Sequence, residues 1–256
     1  MSTVTAIQWT DHTFNVAWGC EKVGPGCKHC YAEGDAKRYG FDVWGGDKDR
    51  RTFGQKHWDE PLKWNRDAKS EGRRHRVFTS SMADVFEDHP AINPLRPRLF
   101  DLIRATPWLD WQILTKRSER MRDLWPWQDC PPNVWAGVSV ENSDYLHRID
   151  HLRDVPLDVR FVSFEPLLGS VVDADLTDIA WAIFGGESRG GRPCDVTWIR
   201  EGIELCGRYG TTPFVKQLGS NVWNGAHCMG KVKLKHPKGG DMNEWPEDLR
   251  VRGFPT

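Results

Sequence analysis

The feature that most limits what this chain can fold into is a recurrence of short, almost uninterrupted apolar runs at residues 77–80, 111–114, 134–138, 160–164, 180–184 and 213–215. Runs of strand length that are apolar throughout read as strands buried on both faces, the pattern of a parallel sheet. Residues 14–18 read as a first member of the series. Amphipathic stretches lie between the runs, with helix-start signals at Asn93 before Pro94, Ser118 before Glu119, Asn142 before Ser143 and Thr197 before Trp198. This alternation predicts an α/β fold, a partial or complete parallel (β/α) barrel, with a doubly wound sheet as the competing arrangement. A chain of 256 residues holds such a fold as one domain, with residues 1–217 as the barrel and 218–256 as a C-terminal extension packed on it.

Ligands of parallel α/β folds collect at the carboxyl ends of the strands. Polar residues fall there repeatedly: Cys20, then Ser80-Ser81-Met82-Ala83-Asp84, Thr115-Lys116-Arg117, Ser139-Val140-Glu141-Asn142, Ser163-Phe164-Glu165-Pro166, Gly185-Gly186-Glu187-Ser188 and Lys216-Gln217. On a barrel these clusters are expected to ring one cavity with carboxylates and cations.

Cys20, Cys27 and Cys30 have the spacing C-x6-C-x2-C, and Gly24, Pro25 and Gly26 between them permit a tight turn. Three thiolates brought to one centre suit a 4Fe-4S cluster, whose fourth iron then stays open to a substrate or cofactor. Other readings are a zinc site completed by His29 or His12, a cluster serving structure or electron transfer alone, and unliganded cysteines. Seven cysteines is an odd number with three of them crowded together, which argues against a secreted disulfide framework and for reduced, metal-binding thiols.

The formal net charge of -1, from 35 basic and 36 acidic side chains, excludes a global field that would draw the chain onto nucleic acid. The basic stretch Lys231, Lys233, Lys235, His236 and Lys238 alternates with Val232 and Leu234, as on an exposed strand edge. Tryptophan is abundant, at 14 residues, and Trp44, Trp58, Trp64, Trp125 and Trp127 sit in polar or turn-rich surroundings where they could line a cleft or pack under loops. Residues 1–10 carry no basic region followed by an apolar run, and no stretch approaches a membrane span, so a soluble, cytoplasmic protein is expected.

The cysteine loop, followed by Tyr31 and set ahead of a βα series, resembles the radical S-adenosylmethionine superfamily, whose usual spacing is C-x3-C-x2-C; the first gap here is longer. More closely, the chain resembles a phage and bacterial three-Cys-motif family related to spore photoproduct lyase. That resemblance runs through Trp9-Thr10, the cysteine loop, the 80–84 run, Leu114-Thr115-Lys116-Arg117, Pro132-Asn133-Val134-Trp135, Gly137-Val138-Ser139-Val140-Glu141-Asn142, Phe164-Glu165-Pro166-Leu167-Leu168, Gly185-Gly186-Glu187-Ser188 and Phe214-Val215-Lys216-Gln217.

The resemblance implies a 4Fe-4S cluster on Cys20, Cys27 and Cys30 and S-adenosylmethionine chelated at its open iron and cleaved reductively to a 5'-deoxyadenosyl radical. It places Tyr31 near the adenine, and Ser80 and Asp84 at the amino group, although the usual Gly-Gly-Glu is missing there. It places Lys116 or Arg117 at the methionine carboxylate, and Ser139, Glu141 and Asn142 at the ribose, with a helix cap as the rival role for Asn142. Glu165 and Glu187 follow later strands, Glu165 toward the cofactor and Glu187 on the catalytic side, or they simply pair with Lys216 or Arg189. Cys194, in the glycine-rich loop 190–195, is the expected catalytic thiol that returns a hydrogen atom, with an inert loop thiol as the rival role, and Cys228 is the next candidate; Cys206 is expected to be buried in a helix, and Cys130 carries no clear signal. Implied partners are a nucleic-acid substrate, as in photoproduct-lyase-like DNA repair or base modification, and an electron donor such as flavodoxin or ferredoxin; a monomer is expected. The competing reading is a non-catalytic, zinc- or iron–sulfur-stabilised module of phage origin that binds nucleic acid or protein.

Overall fold

The computed structural model describes residues 5, 7–188, 190–225 and 230–255, so Arg189 and Cys228 lie outside the described residues. The chain divides into two compact units.

The first unit comprises Met1–Val23, Ala32–Gly137 and Asp154–Asp158. Its elements in chain order are β1 (His12–Thr13), β2 (Ala17–Trp18), α1 (Tyr31–Arg38), β3 (Arg51–Thr52), α2 (Gln55–Trp58), α3 (Glu60–Glu71), β4 (His75–Thr79), α4 (Leu95–Ala105), β5 (Leu109–Thr115) and α5 (Ser118–Leu124), followed by the start of β6 (Val134–Ser139). Strand β4 runs parallel to β1 and to β5, and Val77, Trp111 and Ile113 are fully buried with Leu99 and Ile103 of α4. Helix α3 starts with Pro61 in its first turn and stops at Gly72, whose φ of 66° is the left-handed conformation a glycine adopts without a steric cost.

The first strand of the sheet does not lie at 14–18 as expected. The sheet takes only His12–Thr13, with Phe14 N–H still donating to Phe78 O at 2.9 Å. Asn15 then breaks the ladder, because its side chain accepts from Met82 N–H at 2.7 Å and donates to Ser81 Oγ at 3.2 Å. Beyond it Ala17–Trp18 pairs antiparallel with Arg51–Thr52 in a separate ribbon. The tryptophans divide: Trp58 and Trp64 are buried within α2 and α3, while Trp127, also buried, lines a surface cavity with Phe100, Arg104 and Leu124.

The second unit comprises Gly24–Tyr31, Val138–Arg153 and Val159–Thr256. After the end of β6 come α6 (His147–Arg153), β7 (Val159–Phe164), β8 (Trp181–Gly185), β9 (Cys194–Asp195), α7 (Val196–Tyr209), β10 (Thr212–Gln217), β11 (Val222–Trp223) and β12 (Lys231–Val232). Helix α7 is capped by Asp195, which accepts from Thr197 N–H at 2.9 Å, so the cap lies two residues before the expected Thr197. Its face of Val196, Ile199, Gly202, Leu205 and Cys206 is buried. A side chain at Gly202 would lie 2.3 Å from the Phe184 ring, so glycine is what lets α7 approach β8. The C-terminal residues close the outer edge of β10: Val215 N–H donates to Val251 O at 2.7 Å and Gly253 N–H to Pro213 O at 3.0 Å. Lys231, Lys233 and Lys235 are exposed, Lys231 on the short strand β12.

The sheet order is β1-β4-β5-β6-β7-β8-β10. The strands advance in chain order with no reversal, which is the winding of a barrel and not of a doubly wound sheet. The order has two ends, so the barrel is a partial one.

Candidate functional site

In the first unit, the residues after β4 and β5 assemble around Cys20. Asp84 is buried and accepts from Thr115 Oγ1 at 2.8 Å, Lys116 N–H at 3.3 Å and Arg117 Nη1 at 3.0 Å. Arg117 also donates through Nη1 to Cys20 Sγ at 3.6 Å, and through Nη2 to Glu21 O at 3.0 Å and Glu87 Oε1 at 3.4 Å. Glu87, 2% exposed, takes both a forked pair from Arg50, at 2.9 and 3.0 Å, and Glu21 N–H at 2.7 Å. Burial first, then the Asp84 charge, pushes the Cys20 thiol up to about 12 against the pull of Arg117. The thiol donates to Glu21 O, 3.4 Å away. Ser80 is buried as well, its Oγ accepting from Val16 N–H at 3.4 Å.

In the second unit, Pro25–Cys27 form a single 3-10 turn, closed by Cys27 N–H to Gly24 O at 3.0 Å. Gly26 of this turn lies on Glu141: a Cβ there would sit 2.2 Å from Glu141 Oε1. Glu141 is fully buried and its Oε2 is paired to Arg148 Nη1 at 3.0 Å, while the same nitrogen donates to Ser139 O at 2.7 Å. The glutamate therefore cannot swing away, and Gly26→Ala is expected to destabilise the protein by about 1–3 kcal/mol in chemical unfolding, the usual cost of overpacking; an unchanged midpoint would show that the turn does not rest on Glu141. Asn142 does not cap with its side chain. Its Nδ2 donates to Asp144 at 3.3 Å, and its Oδ1 is buried with no hydrogen-bond partner among the described residues.

Two more carboxylates follow β7 and β8. Glu165 pairs with Lys216 at 3.1 Å and accepts from Ser163 Oγ at 3.3 Å. Glu187 is held by Arg192, with Nε at 3.0 Å and Nη2 at 2.6 Å, and by the Arg192 N–H at 2.8 Å; His29 Nδ1 lies 3.1 Å away. Burial pushes the Glu187 carboxyl up, but the Arg192 bonds and then His29 outweigh it and bring it to about 2. A carboxyl lowered from 4.5 stabilises the fold above pH 4.5 and loses that contribution as the pH falls toward 2. With the partly exposed Arg192 screened by water, we expect about 2 kcal/mol of acid-labile stability that Glu187→Gln lacks. Urea unfolding of both proteins between about pH 5.5 and 3 checks this, and parallel pH slopes would refute it.

Each strand-end carboxylate thus has a basic partner within its own unit: Asp84 with Arg117, Glu141 with Arg148, Glu165 with Lys216, Glu187 with Arg192. The sequence pointed to the carboxylates and to Arg117; it did not point to Arg50, Glu87, Arg148 or Arg192. Cys20, Cys27 and Cys30 are half-buried and in no disulfide, and Tyr31 opens α1 with 42% of its surface exposed. Among the described residues no three His, Cys, Asp or Glu side chains are gathered as a metal site. Cys194 lies in strand β9, fully buried, not in an open loop, and burial raises its thiol to about 12. Cys206 is buried in α7, as expected. No helix among the described residues is long and apolar enough to cross a membrane.

A family model described as "Protein of unknown function (DUF5131)" matches residues 4–246. The chain belongs to this DUF5131 family. Among curated proteins none matches its sequence. Among solved structures, this DUF5131 protein is similar to a mutant spore photoproduct lyase with bound AdoMet and dinucleoside spore photoproduct, at a TM-score of 0.51 and 13% identity over 92% of this chain and 72% of the other. Two further mutants of the lyase, one Cys-to-Ser and one Tyr-to-Phe, each give 0.50 and 13% over 90% of this chain and 70% of theirs. At this identity the likeness concerns the fold: the DUF5131 chain shares the partial α/β barrel of these lyase structures.

Proposed function

We propose that this protein is an iron–sulfur, radical S-adenosylmethionine enzyme that acts on nucleic acid. The observation that carries the reading is the coincidence of that partial barrel with a C-x6-C-x2-C loop following its first strand. The chemistry of the donors supports it: three cysteines outside any disulfide on one glycine-rich loop suit a cluster with one open iron, and the thiol protons leave as metal enters. Cys20, Cys27 and Cys30 hold the cluster, which together with S-adenosylmethionine supplies reductive cleavage of the sulfonium carbon–sulfur bond.

This chain's own side chains bind and orient. The buried Asn142 Oδ1 accepts a ribose hydroxyl, which satisfies a polar atom that otherwise has no hydrogen-bond partner among the described residues. Ser139 and Glu141 fix the backbone around it through Arg148. The exposed Tyr31 ring is available to stack on the adenine, and Lys116 meets the methionine carboxylate. Asp84 is engaged by Thr115 and Arg117, so in this reading it takes the cofactor's amino group as one more donor to an ionised carboxylate. Glu165 and Glu187, both held by cations, face the remaining cofactor and the substrate. Nucleic acid is the substrate class because the similar lyase structure holds a dinucleoside spore photoproduct. A reduced electron donor of the flavodoxin or ferredoxin type completes the reaction.

One observation favours the rival zinc-stabilised binding module. His29, between Cys27 and Cys30, has its ring oriented by Glu187 at 3.1 Å, the carboxylate–histidine pairing common behind metal ligands. Anaerobic reconstitution with iron and sulfide separates the two. The proposal expects a brown protein with about four irons per chain that forms 5'-deoxyadenosine from S-adenosylmethionine only when dithionite is present. A colourless protein holding one tight zinc and producing no deoxyadenosine would overturn it.

A further inference from the structure

We infer that Arg117 positions the first cysteine ligand and raises the reduction potential of the cluster it holds. This rests on the reading of the loop as a cluster site and concerns a residue whose expected role there was to meet the cofactor carboxylate. The geometry assigns Arg117 differently. Its guanidinium is fixed without help from the sulfur, by Asp84 Oδ2 at 3.0 Å, Glu21 O at 3.0 Å and Glu87 Oε1 at 3.4 Å. Its main chain is fixed too, since the Arg117 N–H donates to Thr115 Oγ1 at 2.9 Å and that hydroxyl donates to Asp84. Nη1 then reaches Cys20 Sγ at 3.6 Å. The side chain is 9% exposed, as is that of Asp84. A cation held in place at low exposure, with its donors aimed at a sulfur and at the loop carbonyl next to it, is preorganised for a thiolate.

The surrounding charges sharpen the argument. Asp84 and Glu87 balance Arg117 and Arg50, so a thiolate at Cys20 adds one negative charge to a neutral cluster of side chains. Take away Arg117 and the same thiolate joins two carboxylates with one cation between them. A cationic donor at a ligating sulfur withdraws electron density and favours the reduced, more negative state of an iron–sulfur centre. Arg117 is therefore a positioning residue, acting through Cys20 and not on a substrate.

The test is a dithionite titration of reconstituted protein, followed by electron paramagnetic resonance, with iron content measured in parallel. Wild type, Arg117→Gln and Arg117→Lys are compared, each checked for folding by its melting curve. The Gln variant should show a more negative midpoint and lower iron occupancy. The Lys variant keeps the charge but cannot fork to Asp84, Glu21 and the sulfur together, and its midpoint should fall between the two. If the Gln variant does not fold, the Lys variant decides alone by the same sign of shift. A folded variant with the wild-type midpoint and wild-type iron overturns this inference and leaves the cluster reading standing. A wild-type protein that takes up no cluster overturns both.

Discussion

Cys27→Ala should reduce the iron bound after reconstitution from about four per chain to nearly none, because two thiolates do not hold a cubane that has already given up its fourth protein ligand. The substitution is mild for the fold. Cys27 ends a one-turn 3-10 segment whose closing bond uses its main-chain nitrogen, and its side chain is half-buried rather than packed in the core. Loss of iron with an unchanged melting temperature of the metal-free protein would therefore report ligation and not unfolding. The control is Cys206→Ala. That thiol is fully buried on the inner face of α7, where burial raises it to about 12, and its loss should cost stability and leave iron untouched. Full iron in Cys27→Ala, or equal loss in both variants, would sink the ligand assignment.

The barrel was legible because its strands are apolar throughout: Val134–Ser139 and Trp181–Gly185 are buried at every position, so no alternation confuses the reading. The first strand was misread because Phe14, Val16 and Ala17 are all buried, while the residue that ends the pairing is Asn15, whose side chain substitutes for a strand partner. Periodicity does not see that exchange. The carboxylates were legible by their place after strands, as was Lys216 as a partner for Glu165, but the arginine partners of Glu141 and Glu187 were not. Arg192 is only five residues from Glu187 and Arg148 seven from Glu141, yet each sits in an ordinary loop or helix pattern. Arg50 is further off still, just after the polar run Asp47-Lys48-Asp49, although its side chain is 0% exposed. Long-range pairing of this kind follows from tertiary packing, which a linear pattern does not record. Cys194 shows the same limit: a glycine-rich setting suggested an open loop, and the backbone instead pairs with β11 and buries the thiol.

Glu87 is the residue whose loss should cost the first unit most. It is a single carboxylate facing two guanidiniums, with Arg50 forked onto both oxygens and Arg117 on one, and it also accepts the Glu21 N–H that follows Cys20. Arg50 in turn gathers the carbonyls of Val43 and Gly45, so one ion pair ties the 43–45 segment to the cysteine. Replacing Glu87 by Gln keeps the shape and removes the charge, leaving two buried cations with Asp84 as the compensating carboxylate. Breaking a buried pair from one side in this way typically costs about 3–5 kcal/mol, several times the value of an exposed pair. Arg50→Met should cost a similar amount alone, because it leaves the buried carboxylate with only the longer Arg117 contact at 3.4 Å as its cation. The double variant should lose less than the sum of the two, since it removes both charges together. Urea unfolding of the four proteins gives the coupling directly. Additive losses would mean that Glu87 and Arg50 do not act as a pair, and the mount beneath Cys20 would then have to come from Asp84 and Arg117 alone.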